Sequence, residues 1–411
     1  MNFLRDFKQS KLLYAEIILL SLMILSLPSL EAPKNIFLVF FVFVAVIRQI
    51  KTPNLRVWGA WDWMFLAIVT SALCSTVFAG LSPGDELKGF RVLLTFIGVG
   101  WLVSRSVYSS KELSWIFWLT ILSAIPPLFF GLWELLVIHT KNSLELHSVG
   151  HVNHSAIYLT IIFSASLGAC LSLWRSESVF EKVILFSLPV LFFVSLIVGE
   201  SRAAFGVGSM IAVILMLLSS GNKKVKIGAL GILVSIVLIA ILSNAHILKK
   251  QVENQKNHDV LSGRGVIWNT TIEAARLYPI FGIGIDNRAV VTRDEIENSV
   301  ESRHEVFDEK LYDFHYKHSH NFYLTNIAER GLVGAFVTLF FILMWFWQLV
   351  KTFYLTRLSS QAAYLWAGSM GAWMTTFGIG FVNTTFHHEH GILACLFLGL
   401  HLAYCKAHAK P

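Results

Sequence analysis

Twelve apolar runs, most of them long enough to cross a bilayer, constrain this chain more than any other feature. They lie near residues 12–30, 35–50, 57–80, 88–107, 113–138, 152–173, 183–199, 202–220, 227–246, 320–350, 361–384 and 391–405. Hydrocarbon offers no water to peptide N–H and C=O groups, so a spanning run of about 20 apolar residues is confined to a helix. Hydrophobic residues make up 55% of the 411 positions and charged residues 14%, so most of the chain needs lipid as its solvent. The expected fold is an all-α polytopic membrane protein with about 12 transmembrane helices. The first run follows Lys8 and Lys11 like a signal peptide, but no small-residue cleavage site precedes Glu31-Ala32-Pro33, and it is read as a retained helix.

Lysine and arginine set the orientation. With the N-terminus inside, the inner segments hold seventeen of them, from Arg5 and Lys8 to Lys406 and Lys410, against five in the short outer loops: Lys34, Lys88, Arg91, Lys141 and Arg202. Both termini are therefore expected inside. The net charge of +7 is mostly this orientation signal, and no basic stripe interleaved with aromatics points to nucleic acid. Cys74, Cys170, Cys395 and Cys405 all fall within apolar runs, which implies neither a disulfide framework nor a cysteine metal site. No internal repeat is visible. The division is thus residues 1–246 with spans 1–9, an outer helical subdomain over 247–318, and residues 319–411 with spans 10–12.

Within the outer segment, residues 249–259 are polar. Ile267, Trp268, Thr271, Ile272, Ala275 and Tyr278 then recur at helical spacing until Pro279, predicting a short helix on the outer membrane surface. Gly282-Ile283-Gly284 follows, and the acidic stretch 294–313 reads as an exposed lid. The segment ends in Lys317-His318-Ser319-His320-Asn321.

Thirteen of the fifteen histidines fall on or near the outer face in this topology. His151-Val152-Asn153-His154 and His387-His388-Glu389-His390 each sit at the outer end of a span, as expected of a polar rim around a cavity. The second cluster also invites a metal reading, but adjacent residues seldom converge on one ion and no spacing such as His-Glu-x-x-His is present. No metal and no other cofactor is expected. At about 100° per residue, His320, Leu324, Ile327, Gly331 and Gly334 share one helical stripe, so the glycines would admit a neighbouring helix below His320. Histidine, with a near-neutral pKa, can accept a proton from a sugar hydroxyl. Asn321 could orient the ring, and His318 competes for the same role. The alternative is an interfacial histidine that caps a helix.

Arg202, in Gly199-Glu200-Ser201-Arg202, stands where a charge near hydrocarbon needs a partner, for which Glu200 is available. Arg264 precedes the surface helix, so its guanidinium and that helix's N-terminal N–H groups can face one anion. Two guanidinium groups at the outer surface suit a lipid-linked pyrophosphate, with structural ion pairing as the rival account. Lys88, Arg91 and Arg288 are further candidates for the anion.

In these residues the chain resembles the O-antigen ligases and their relatives, the O-antigen polymerases and bacterial protein O-oligosaccharyltransferases. His320-Asn321, nine residues, then Gly331-Leu332-Val333-Gly334 is similar to that family's histidine motif. Ser201-Arg202 resembles its first arginine site, and Gly263-Arg264 with Trp268, Pro279, Gly282 and Gly284 the second. Asn153-His154-Ser155-Ala156-Ile157-Tyr158 is of the same kind, and the similar region runs from about residue 150 to 340.

The resemblance implies a GT-C-type, metal-independent glycosyltransferase at the periplasmic face of the bacterial inner membrane. Its donor would be undecaprenyl-pyrophosphate-linked polysaccharide, its acceptor a sugar of lipid A-core, and its displacement inverting. His320 would be the base, and Arg202 and Arg264 would hold the pyrophosphate. Polymerase and protein O-oligosaccharyltransferase are the alternatives within the family. Transport and a non-catalytic scaffold are the alternatives outside it. Transport would call for repeated halves and mid-membrane ionisable residues, and the sequence shows neither.

Overall fold

The computed structural model describes residues 2–52, 57–79, 85–146, 149, 151–174, 178–219, 226–228, 230, 231, 234, 263–316 and 318–408. The expected ninth span, near 227–246, and the start of the outer segment at 247–262 lie largely or wholly outside these residues. Each of the other eleven apolar runs forms helix. These helices are α1 (Asn2–Ser26), α2 (Glu31–Lys51), α3 (Ala60–Phe78), α4 (Glu86–Arg105), α5 (Ser110–Ser123) continued by α6 (Ile125–Trp133), α7 (Val152–Leu173), α8 (Val179–Val198) and α9 (Arg202–Leu218). The outer segment adds α10 (Arg264–Leu277) and α11 (Arg293–Glu301), and the chain closes with α12 (Phe322–Thr352), α13 (Ser360–Ile379) and α14 (His388–His408). Among the described residues, eight helical segments are long and apolar enough to cross a membrane. Among the described residues α9, at 17 residues, is a shorter apolar helix.

Local chemistry explains the breaks. Pro126 and Pro127 cannot donate to the preceding turn, and the fifth run splits at Ala124 into α5 and α6, which ends in a π-helical turn at Glu134–Ile138. Ser109 with Glu112 and Ser178 with Glu181 form capping boxes that start α5 and α8. Helices α7 and α14 are the central pillars, 89% buried over their apolar windows, and pack on α13 and α4 respectively. Small residues allow this: a side chain on Gly100 would meet Cys395 of α14 at 2.9 Å, and one on Gly168 would meet Ala367 of α13 at 2.2 Å. Phe43, Trp63, Phe340 and Trp347 project outward from α2, α3 and α12, as lipid-facing residues should.

Helix α12 is not continuous. Gly331 adopts φ 61°, ψ −167°, a conformation that L side chains rarely take. An uninterrupted helix would pair Leu332 N–H with Ala328 C=O and Val333 N–H with Glu329 C=O. Instead, Leu332 and Val333 donate to Pro279 and Ile280 at 2.8 and 3.2 Å, while Ala328 and Glu329 accept from Ile283 and Gly284 at 2.9 and 3.0 Å. The loop after α10 thus takes up all four groups the break releases, as buried backbone in a membrane requires. Gly282 (φ 76°) permits the approach, since a Cβ there would lie 2.4 Å from the Glu329 carbonyl carbon.

The outer segment has its own small core of Ala274, Ile283, Val291, Ile296 and Val300, closed by Ala328 of α12. The acidic stretch is therefore not a free lid. Ile296 and Val300 of α11 anchor it, and Thr292 with Glu295 caps the helix. Helix α10 also differs from the expected stripe: its buried residues are Ile267, Thr270, Thr271, Glu273 and Ala274, with Ile272 exposed. The threonines are tolerable there because Thr270 accepts from Asp313 N–H at 2.8 Å and Thr271 from Arg288 Nε at 3.3 Å.

Candidate active site

His320 lies before α12, not on it. The residue has φ 51°, and Asn321 is the N-cap, its side-chain oxygen accepting from Tyr323 and Leu324 N–H at 3.0 Å each. The expected stripe from His320 to Gly334 therefore does not exist, because helical spacing fails at both of its ends. Asn321 acts as the cap rather than orienting the ring, and its amide donates to Phe381 C=O at 3.0 Å. Phe322 N–H donates to Gly380 C=O at 2.8 Å, and the buried Ser319 hydroxyl bonds the Asn321 carbonyl and Thr325. The histidine turn is thus pinned to the α13–α14 connection. His320 Nδ1 is buried and has no hydrogen-bond partner among the described residues. Burial, and then the Arg264 guanidinium, lower the ring's pKa from 6.5, while hydrogen bonding to Asn383 raises it.

That influence puts the Arg264 guanidinium within electrostatic reach of His320. Arg264 is the first residue of α10, preceded by Gly263 with φ 74°, whose lack of a side chain leaves no side-chain cap on this helix. Trp268, one turn on, buries its indole N–H without a partner among the described residues. Arg202 opens α9, at the end of the bundle where α7 also begins, and Glu200 before it has φ 53°. Lys88 is half-exposed and lies 3.7 and 3.9 Å from carboxylate oxygens of Asp85 and Asp286. Arg91 is exposed on the next turn of α4. Arg288 is not an anion ligand here: it is buried, and its guanidinium is taken up by Asp313 and the Tyr316 carbonyl.

The two distant histidine clusters meet. His154 lies 4.8 Å from His387, 5.2 Å from His390 and 5.4 Å from His151 between ring centroids, and His387 lies 6.0 Å from His318. Burial drives the His387 pKa well below its ordinary value, with the neighbouring imidazoles adding to the effect. Glu389 leaves this group to form a buried ion pair with Lys34 of α2. Among the described residues no three His, Cys, Asp or Glu side chains are grouped to hold a metal ion.

Residues 188–339 match the family model described as O-Antigen ligase. This chain carries an O-antigen ligase family domain. The O-antigen ligase match spans α8, α9, the outer segment and α12 past Gly334, so it contains Arg202, Arg264, His320 and the loop that bonds the α12 break. The His151–His154 turn and the 380–390 turn lie outside it. No curated protein matches the chain.

Beside the O-antigen ligase motifs lies a cavity of about 210 Å³ between α3, α4, the upper part of α12 and the 384–388 turn. Its wall includes Asn326, Glu329, Arg330 and Thr384, none of which the sequence reading singled out, and its mouth includes Lys88, Asp286 and His318. His318 Nδ1 lies 3.6 Å from Asp286 Oδ1. Glu329 and Arg330 are 7% and 6% exposed within an otherwise apolar span. Those two adjacent ionisable residues beside Gly331 are the one signal that could have revealed the cavity. Asn383 had none, since only tertiary packing brings it to His320.

Proposed function

We propose that the chain is an O-antigen ligase of GT-C type. It transfers a polysaccharide en bloc from undecaprenyl pyrophosphate to a sugar hydroxyl of lipid A-core at the periplasmic face of the inner membrane, without metal or other cofactor. Neutral His320 accepts the hydroxyl proton as the oxygen attacks the anomeric carbon from the face opposite the pyrophosphate, which inverts that carbon. The sugar–phosphate bond breaks with its electron pair passing to undecaprenyl pyrophosphate. Arg264 and Arg202 neutralise the departing charge.

The observation that carries this reading is the Arg264 guanidinium within electrostatic reach of a histidine whose buried Nδ1 has no hydrogen-bond partner among the described residues. A fixed cation next to a ring kept neutral supplies an anion site and a proton acceptor within one cleft. The test uses purified protein in nanodiscs with lipid-linked donor and lipid A-core. His320→Ala is expected to bind donor as wild type does, with transfer reduced about 10²- to 10⁴-fold. Retained transfer removes His320 as the base, and loss confined to His318→Ala assigns the role to His318. Product on a lipid-linked repeat or a protein, with none on lipid A-core, overturns the acceptor.

A further inference from the structure

The cavity beside the histidine turn has a chemistry unlike that of the arginine site. Asp85, Asp286 and Glu329 stand against Lys88 and Arg330 in its lining. Arg330 is already held, its two terminal nitrogens bonded to Asn326, Thr338 and Ser71. Lys88 in turn is paired with Asp85 and Asp286, so no lysine or arginine of the lining is left unengaged to bind a pyrophosphate. Carboxylates are good acceptors for hydroxyl groups.

The lining also holds buried polar atoms without hydrogen-bond partners among the described residues: Arg330 Nε, Thr384 Oγ1 and His387 Nε2. Arg330 and Thr384 are 6% and 8% exposed, so each is more than nine-tenths buried. Buried donors normally find partners, and these three share one cavity with the Glu329 carboxylate. Phe96, Phe341 and Phe386 supply the apolar wall, as sugar-ring faces require. A volume of about 210 Å³ is below the ~300–1,000 Å³ of drug-sized sites. That size suits one ring rather than a polymer.

We infer that this cavity is the subsite for the acceptor's terminal sugar, a neutral, polyhydroxylated single ring held by Glu329, Asn326, Arg330 and Thr384. The assignment deepens the ligase reading and rests on it for the word acceptor. The pyrophosphate then occupies the arginine side of the cleft and the accepting ring the carboxylate side, with His318 and Asp286 at the mouth between them.

The experiment uses the full chain in nanodiscs and two variants, Thr384→Val and Asn326→Leu. Equilibrium binding of delipidated core oligosaccharide is expected to weaken about tenfold in each, as loss of one or two buried hydrogen bonds predicts, while affinity for the lipid-linked donor holds. In turnover, KM for lipid A-core should rise by a larger factor than kcat falls. Unchanged oligosaccharide binding and KM overturn the assignment, as does a parallel loss of donor affinity. If wild type binds the oligosaccharide yet transfers nothing to lipid A-core, the ligase reading fails and the sugar site stands. If wild type transfers but the variants bind as it does, the sugar site fails alone.

Discussion

His320 adopts φ 51°, a left-handed conformation that histidine tolerates better than most side chains but that costs roughly 1–3 kcal/mol. Phe386 and His388, across the cleft, share the trait with φ 66° and 47°. A lowered pKa means that protonation of His320 is disfavoured in the folded chain. The ring therefore stays neutral through neutral pH, and base-dependent transfer should decline only below pH 6.5. Arg264 contributes to that lowering, so removing its charge must raise the pKa. In Arg264→Gln the acid limb of residual transfer is expected to move upward, toward 6.5, and NMR titration of the ring should move with it. A downward or absent shift would separate the two residues electrostatically. The spacing to Gly331 is what singles out His320 over His318 in the sequence, but the surroundings of His320 were not legible there. Asn383 reaches it only through packing, and no local pattern encodes that.

At the scale of elements, apolar length identified the spans, because hydrocarbon leaves few alternatives to a helix. The break inside α12 was hidden for the same reason: no proline marks it, and an apolar run with a glycine reads as continuous helix. Gly331 and Gly334 looked like a groove for a helix, whereas Gly331 admits a backbone loop and Gly334 makes room for the Arg330 side chain. A Cβ at Gly331 would lie 2.2 Å from Ile280 O in a conformation suited to glycine. Gly331→Ala is therefore expected to destabilise the protein by about 3 kcal/mol, seen as a lower Tm in detergent and as loss of transfer. A Tm equal to wild type would show that the loop and the broken helix can part without cost.

Across the whole molecule, long-range ion pairs tie helices that sequence places far apart. Lys34 of α2 and Glu389 of α14 are 355 positions apart, and both are buried at the site-bearing end. At the other end Glu16 is bound by Arg48, Ser106 and Tyr108. Lys34 read as an outer-loop orientation charge and Glu389 as part of a histidine rim, because pairing depends on which helices become neighbours. Removing one partner strands a buried charge. Glu389→Met or Lys34→Met alone should cost about 3–5 kcal/mol, while the double replacement by Met should recover most of it, measured as Tm in a double-mutant cycle. A loss in the double variant equal to the sum of the two single losses would show that the two side chains do not depend on each other.

The junction between the 279–284 loop and α12 is made by main-chain groups, with glycine wherever two backbones come close. Such a fastening is indifferent to the side chains it joins. Residues 285–316 can therefore diversify among relatives to suit different polymers, while the same four backbone hydrogen bonds keep each new surface seated above the same histidine.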